Sequence, residues 1–216
     1  TLKYPKAGED NSIVTAHIWD GENGTVKQVL EGTDYEYLPR AKWSANGTWI
    51  VSTMNRLQND LKLYTVNASN GSSSLLYHET DEKYLEINDE LYFLEDGSFI
   101  MLSDRDGWNH LYHINAKGKV KRQITKGSFN VTSFYGIDEN ERLFYQSSEV
   151  HPTERNIYRI RINGRGKKLL TSEKGTHNGT FTNDFSLFVN TYSAEGIPPL
   201  VTLRSNDGNI VRTLKE

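Results

Sequence analysis

Three places in this 216-residue chain hold residue types that could do chemistry. The first is His110 with His113, three positions apart in an apolar stretch. Imidazole pairs bind transition metals when both rings face one way. A strand sends residues i and i+3 to opposite faces, so this pair is poorly placed for a shared ion. A hydrogen bond from His110 to a neighbouring blade of the repeat described below is the simpler expectation. The second is Asp104-Arg105-Asp106-Gly107, which opens like a calcium loop. It lacks the third acidic position and the downstream glutamate, so it reads better as a tight turn. The third is a late collection of bases: Lys117, Lys119, Lys121, Arg122, Arg159, Arg161, Arg165, Lys167 and Lys168. They alternate with apolar residues, as on solvated strand edges, where lysine also discourages edge pairing. A binding patch is the alternative.

Other chemistry is excluded more firmly. No Gly-x-Ser-x-Gly elbow, Walker A loop or Gly-x-Gly-x-x-Gly turn occurs, and His78-Glu79 lacks the second histidine of a zinc protease helix. There is no cysteine, hence no disulfide framework and no thiolate metal site. The chain itself is therefore expected to hold no catalytic residue, cofactor or metal. The formal net charge is −3, and nothing points to nucleic acid or an anionic membrane. No apolar run approaches the roughly 20 residues that span a bilayer. The start, Thr1-Leu2-Lys3-Tyr4-Pro5, is not a signal peptide, as expected for a mature protein or an excised domain. Six Asn-x-Ser/Thr sequons, at Asn23, Asn46, Asn67, Asn70, Asn130 and Asn178, are read as turn chemistry rather than glycan sites.

The elements that position these residues are strands. Asn-Gly and Asp-Gly pairs at 20, 23, 46, 70, 96, 106, 163, 178 and 207 tolerate the positive φ of tight hairpins. Between them lie short β-branched and aromatic runs such as Trp49–Thr53, Leu61–Val66, Ser98–Leu102 and Asn156–Ile160. No segment keeps a helical apolar period, so the chain is all-β.

The runs also repeat. Leu63-Tyr64-Thr65-Val66-Asn67 aligns with Leu111-Tyr112-His113-Ile114-Asn115 and Ile157-Tyr158-Arg159-Ile160, with Tyr64 and Tyr112 48 apart and Tyr112 and Tyr158 46 apart. A later copy is Leu200–Leu203 and an earlier one His17–Asp20. About 45 residues carrying four short strands is the mark of a β-propeller blade. One period reads as strands Tyr37–Ser44, Thr48–Asn55, Leu61–Val66 and Ser74–Glu79. Trp43 and Trp49 flank a turn and recur as aromatics in the next copy, so both are assigned to blade packing. The chain holds four full blades of four antiparallel strands plus the tail of an earlier one, Ser12 to Leu30. The alternative is a closed five-bladed ring that joins the first and last segments.

Several segments, in order, resemble the propeller of the dipeptidyl peptidase IV family of serine peptidases. They are Tyr4-Pro5-Lys6-Ala7-Gly8, Asn55-Arg56-Leu57-Gln58-Asn59, Ser103 to Tyr112, Gln123-Ile124-Thr125-Lys126-Gly127 and Glu154-Arg155-Asn156-Ile157-Tyr158. Gly175 to Phe181 looks like bacterial members in particular. The resemblance implies an eight-bladed propeller stacked on a C-terminal α/β-hydrolase domain that carries a Ser-Asp-His triad. The family releases N-terminal dipeptides, usually with proline or alanine second. Residues 1–216 would be the C-terminal part of the propeller, with the hydrolase domain after Glu216 and the family's amine-binding glutamate pair before Tyr4. Implied partners are peptide substrates and the hydrolase domain in cis; a homodimer is allowed, and the implied location is periplasmic, secreted or cell-surface. Some members place an aromatic-Arg pair at the pocket rim, in the blade that here contains Tyr84, Leu85 and Glu86. Leu85 and Glu86 take the matching positions, a departure that puts an arginine contact at that point in question. Glu86 reads equally as a solvated strand residue. The other functional reading is a free-standing propeller that binds a protein partner.

Overall fold

The computed structural model describes residues 6, 8–44, 47–87 and 89–215. Tyr4-Pro5 and Ala7 of the first matching segment, and Asn46 among the sequons, lie outside them. The described residues form eighteen strands and no helix. A two-stranded sheet pairs β1 (Ala16–Trp19) with β2 (Val26–Val29). Four antiparallel four-stranded sheets follow, the blades of a β-propeller. The first blade holds β3 (Ala41–Trp43), β4 (Trp49–Met54), β5 (Asp60–Val66) and β6 (Ser73–Thr80). The second holds β7 (Tyr92–Phe93), β8 (Phe99–Ser103), β9 (His110–Ile114) and β10 (Val120–Gln123). The third holds β11 (Val131–Ile137), β12 (Arg142–Ser147), β13 (Asn156–Arg161) and β14 (Lys168–Leu169). The fourth holds β15 (Thr176–Phe181), β16 (Leu187–Ala194), β17 (Ile197–Ser205) and β18 (Ile210–Lys215). Within each blade the strands pair in chain order. Among the described residues β1 and β2 pair only with each other, and β18 is the last strand of its own four-stranded sheet.

The blade expected over residues 37–79 appears with one shortened member. Its first strand starts at Ala41, and Tyr37 makes only a lone bridge to Met54. Pro39 lies between them and cannot donate to a ladder. The middle and outer strands differ in burial. β8 and β9 are buried along their whole length, because both faces of a middle strand are covered. The outer strands β2, β10, β14 and β18 are mostly exposed and carry Lys27, Lys121, Arg122, Lys168, Arg212 and Lys215, whereas Arg159 and Arg161 lie on the inner strand β13.

By its contacts the chain forms two compact units: Thr1–Asp89 with Phe93–Phe99 and Asn115–Lys119, and Glu90–Tyr92 with Ile100–Ile114 and Val120–Glu216. The core of the first unit gathers Val29, Leu30, Val51 and Val66, with Trp49 and Tyr64 packed against them. Trp43 is corrected here. It is 62% exposed and only stacks on Trp49 across the β3–β4 pair, with ring centroids 6.3 Å apart. In the second unit one cluster collects Ile100, Leu111, Val131, Leu143, Tyr145 and Tyr158, and another Phe144, Ile157, Leu170 and Phe188.

One joint recurs. The glycine at the tip of each third-to-fourth strand hairpin sits on a carbonyl near the last strand of the preceding sheet. In the first unit a Cβ on Gly71 would lie 3.4 Å from Gln28 O, and one on Gly118 would run into Leu76 O. In the second, Gly164 would meet Ile124 O at 3.3 Å and Gly208 would meet Leu170 O at 2.5 Å. Gly118 also has φ +72°, so two demands fall on one residue. Gly24 tips the β1–β2 hairpin in the same way, yet among the described residues nothing lies within 4 Å of its missing Cβ.

The pair Asn178-Gly179, expected as a turn, lies inside β15, opposite Thr191 and Asn190. Crowding is the reason for that glycine. A Cβ there would sit 2.9 Å from the Phe181 ring and 3.0 Å from Ile157 Cδ1. Turn chemistry does hold for Asn23, Asn67 and Asn70, whose side chains bond within their own hairpin tips.

The fourth blade is pinned by a buried polar set. Arg204, 4% exposed, places Nη2 2.5 Å from Glu173 Oε1, and its Nε donates to Thr202. His177 is fully buried, stacks on Tyr192, and has Asn190 Oδ1 and Glu173 O as its ring-nitrogen partners at 3.2 and 2.8 Å. Burial holds the His177 pKa below its ordinary 6.5, although the Glu173 backbone and charge favour the imidazolium. A depressed histidine pKa means that the unfolded chain takes up the proton first. The stability tied to His177 is therefore full above about pH 6.5 and falls as pH drops below it, by at most about 1.4 kcal/mol per pH unit. Urea midpoints from pH 8 to 5 should show this slope in the native protein and lose it in His177→Gln. Parallel curves for the two proteins would contradict the assignment.

Candidate functional site: the 81–89 segment of the first blade

The segment that contains Tyr84, Leu85 and Glu86 joins β6 to β7 and belongs to the first unit. It is built on the hairpin loop between β4 and β5. In that loop Asn55 folds its own side chain back: Oδ1 accepts from Asn59 N and Asp60 N at 3.0 and 3.2 Å, and Nδ2 donates to Asn59 Oδ1 at 2.7 Å. Gln58 takes a positive φ of 55° to close the turn. The turned loop then presents two carbonyls to the segment. Asn59 O accepts from Asp81 N at 3.0 Å, and Gln58 O accepts from Leu85 N at 2.8 Å.

The segment adds its own constraints. Asp81 Oδ1 accepts from Lys83 N and Tyr84 N at 2.7 and 3.2 Å, an Asx turn, and those two N–H groups hold its carboxyl below the usual range. At the far end Asp89 pairs with the Arg40 guanidinium and accepts from Lys42 through its carbonyl. That hydrogen bond lowers the Asp89 pKa and raises that of Arg40. Arg40 is itself fixed to β4, its N–H donating to Ser52 Oγ at 2.8 Å.

Such stapling decides which residues can meet a ligand. Leu85 is 4% exposed and anchors the segment in the core. Tyr84, 47% exposed, and Glu86 lie on the surface on either side of it, as does Leu57 of the supporting loop. Among the described residues Glu86 has no hydrogen-bond or ion-pair partner. Arg56 is turned away toward Glu36, 3.0 Å from its Oε1, and toward the Glu9 carbonyl. The arrangement offers a phenol ring, an isobutyl group and a carboxylate, a set suited to contact with a peptide. It contains no hydroxyl held by a base, hence no activated nucleophile. The sequence could not show Arg40, Lys42 and Asp89 as its staples, because residues 47 to 49 positions apart meet only through the fold.

The other sequence candidates fall in the second unit. His110 is fully buried, with both ring nitrogens occupied: Nδ1 by Thr125 Oγ1 and Nε2 by Gly127 O, each at 3.0 Å. Its partners are on the link that leaves its own blade, not on a neighbouring blade as expected. His113 is also buried. Asp104 to Gly107 is a turn, closed by Gly107 N donating to Asp104 O at 2.7 Å. No group of three or more His, Cys, Asp or Glu among the described residues is arranged to hold a metal.

Comparison with known proteins identifies the family. The family model described as the dipeptidyl peptidase IV (DPP IV) N-terminal region matches residues 1–199. The crystal structure of Porphyromonas gingivalis dipeptidyl peptidase 4 superposes with a TM-score of 0.92 and 35% identity over 99% of this chain. A protein of Aspergillus flavus named "Probable dipeptidyl peptidase 4" is 25% identical over 232 residues, covering the whole chain. The chain spans 31% of the first of these proteins and 30% of the second.

Proposed function

Because the chain belongs to the dipeptidyl peptidase IV N-terminal region family, we propose that it is the C-terminal part of the non-catalytic propeller of a serine dipeptidyl peptidase, where it governs access and specificity. The observation that carries this reading is the family match over residues 1–199. The whole enzyme would release dipeptides with proline or alanine second, through a triad on an α/β-hydrolase domain that follows in cis. By the same reasoning it works in the periplasm or outside the cell. The exposed side of the two-stranded sheet fits a surface that packs on a further blade: among the described residues Gly24 meets no carbonyl as its counterparts do, and Trp19 and Val26 are 69% and 62% exposed. In this reading Tyr84 and Glu86 stand at the substrate rim, Glu86 to meet a cationic group and Tyr84 an apolar side chain.

The test has two arms. The pure 216-residue protein should not hydrolyse a Gly-Pro chromogenic substrate; hydrolysis that a serine-directed inhibitor blocks would overturn the reading. In the protein extended through the next domain, Glu86→Gln should raise KM about two- to fivefold with kcat unchanged, the worth of an exposed charge contact. An unchanged KM for cationic and neutral peptides alike would remove Glu86 from the rim.

A further inference from the structure

The late basic residues remain unexplained by the peptidase reading, and two of them, Arg122 and Lys167, converge with Lys126. A cavity of about 320 Å³ opens in the second unit beside the hairpin tip of the third blade. Arg122, Lys126 and Lys167 line it together with Tyr145, Asn163 and Phe129, and no carboxylate is among its lining residues. Among the described residues Arg122 and Lys126 have no partner. Lys167 is held by Glu149, so that pair adds little net charge, and its amino group lies 5.8 Å from the Phe129 ring centroid. Asn163 Oδ1 is taken by Arg165 N at 3.0 Å, which leaves its amide nitrogen as a donor.

The floor residue is the second, independent sign. Tyr145 is fully buried and stacked on Tyr158 with centroids 5.4 Å apart, and among the described residues its hydroxyl has no hydrogen-bond partner. A buried hydroxyl left unpaired is costly, and such groups in native folds call for a ligand or a bound solvent molecule. Burial, together with the Glu149 charge, pushes its pKa well up, so it stays a protonated donor across the working range. The cavity thus gathers two unpaired cations, a third shared with Glu149, an amide donor and a phenol donor.

We propose that this cavity is a binding site for a small oxyanion of the phosphate, sulfate or carboxylate class, held by Arg122 and Lys126 at the mouth and by Tyr145 at the floor. Charge-assisted donors to an anion are the stronger class of hydrogen bond, and Arg122 can engage two oxygens at once. The proposal does not rest on the peptidase reading.

Calorimetric titration of the protein with inorganic phosphate, sulfate and acetate, each against chloride at matched ionic strength, tests it. At least one of the three oxyanions should bind with one-site stoichiometry and raise the unfolding temperature where chloride does not. The acetate arm separates a planar from a tetrahedral ligand. Arg122→Gln combined with Lys126→Gln, both on exposed side chains, should weaken binding by about tenfold or more while leaving the fold intact. Tyr145→Phe should weaken it by a smaller factor, and if that variant is less stable, the double glutamine variant still decides. Heats no different from chloride, or binding unchanged in the double variant, would overturn the proposal.

Discussion

Gly118→Ala should destabilise the protein by about 3 kcal/mol or more, while Gly24→Ala, at the same place in the preceding hairpin, should cost only about 1 kcal/mol. Both glycines have positive φ, +72° and +65°, so alanine pays the left-handed penalty at each. The difference is what the new methyl group meets. At Gly24 it meets open space; at Gly118 it meets the backbone carbonyl of Leu76, which cannot swing aside like a side chain. The β9–β10 tip would have to lift off β6, losing contact along both. Urea unfolding of the two variants gives the comparison directly. Equal losses would mean that φ alone matters and that the close approach is incidental.

Glu173→Ala should cost about 3–5 kcal/mol, and Arg204→Met distinctly less, about 1–2 kcal/mol. The ordering follows from exposure. Arg204 is 4% exposed and Glu173 37%. Removing the carboxylate strands a guanidinium in the interior with only the Thr202 hydroxyl and the Leu170 carbonyl for company. Removing the guanidinium leaves a carboxylate that water can reach, and methionine fills much of the vacated volume. Thermal or urea unfolding would measure both losses. The reverse order would show that Arg204 acts by packing rather than by charge.

These two cases also mark how far the sequence can be read. The strand class, the repeat and the half-blade at the start were legible, because turn glycines and aromatic runs recur at 46 to 48 positions and need no partner to be recognised. The hairpin-tip glycines were visible as turn formers. Their second task, meeting a carbonyl one blade back, was not, since nothing local encodes it. Asn178-Gly179 shows the opposite failure: a turn signature inside β15, kept there because Phe181 and Ile157 leave no room for a side chain. Trp43 misled for a related reason. An aromatic in a strand reads as packed, yet a first strand is covered on fewer sides than a middle one, and Trp43 covers its neighbour rather than being covered. At the candidate site, Tyr84, Leu85 and Glu86 came through family resemblance alone. Which of the three faces solvent depended on two backbone bonds to a loop more than twenty residues upstream.

The recurring glycine joint bears on how such a chain can change over generations. Each of the first three blades carries the glycine tip on one side and the receiving carbonyl on the other, so the contact is head-to-tail and uses the same two parts every time. A duplication of one repeat therefore copies a complete link, both halves together, and the new blade fits its neighbours without any new interface being invented. Blade number is then free to drift at the level of the joints. Only the geometry of bringing the last blade round to the first limits it.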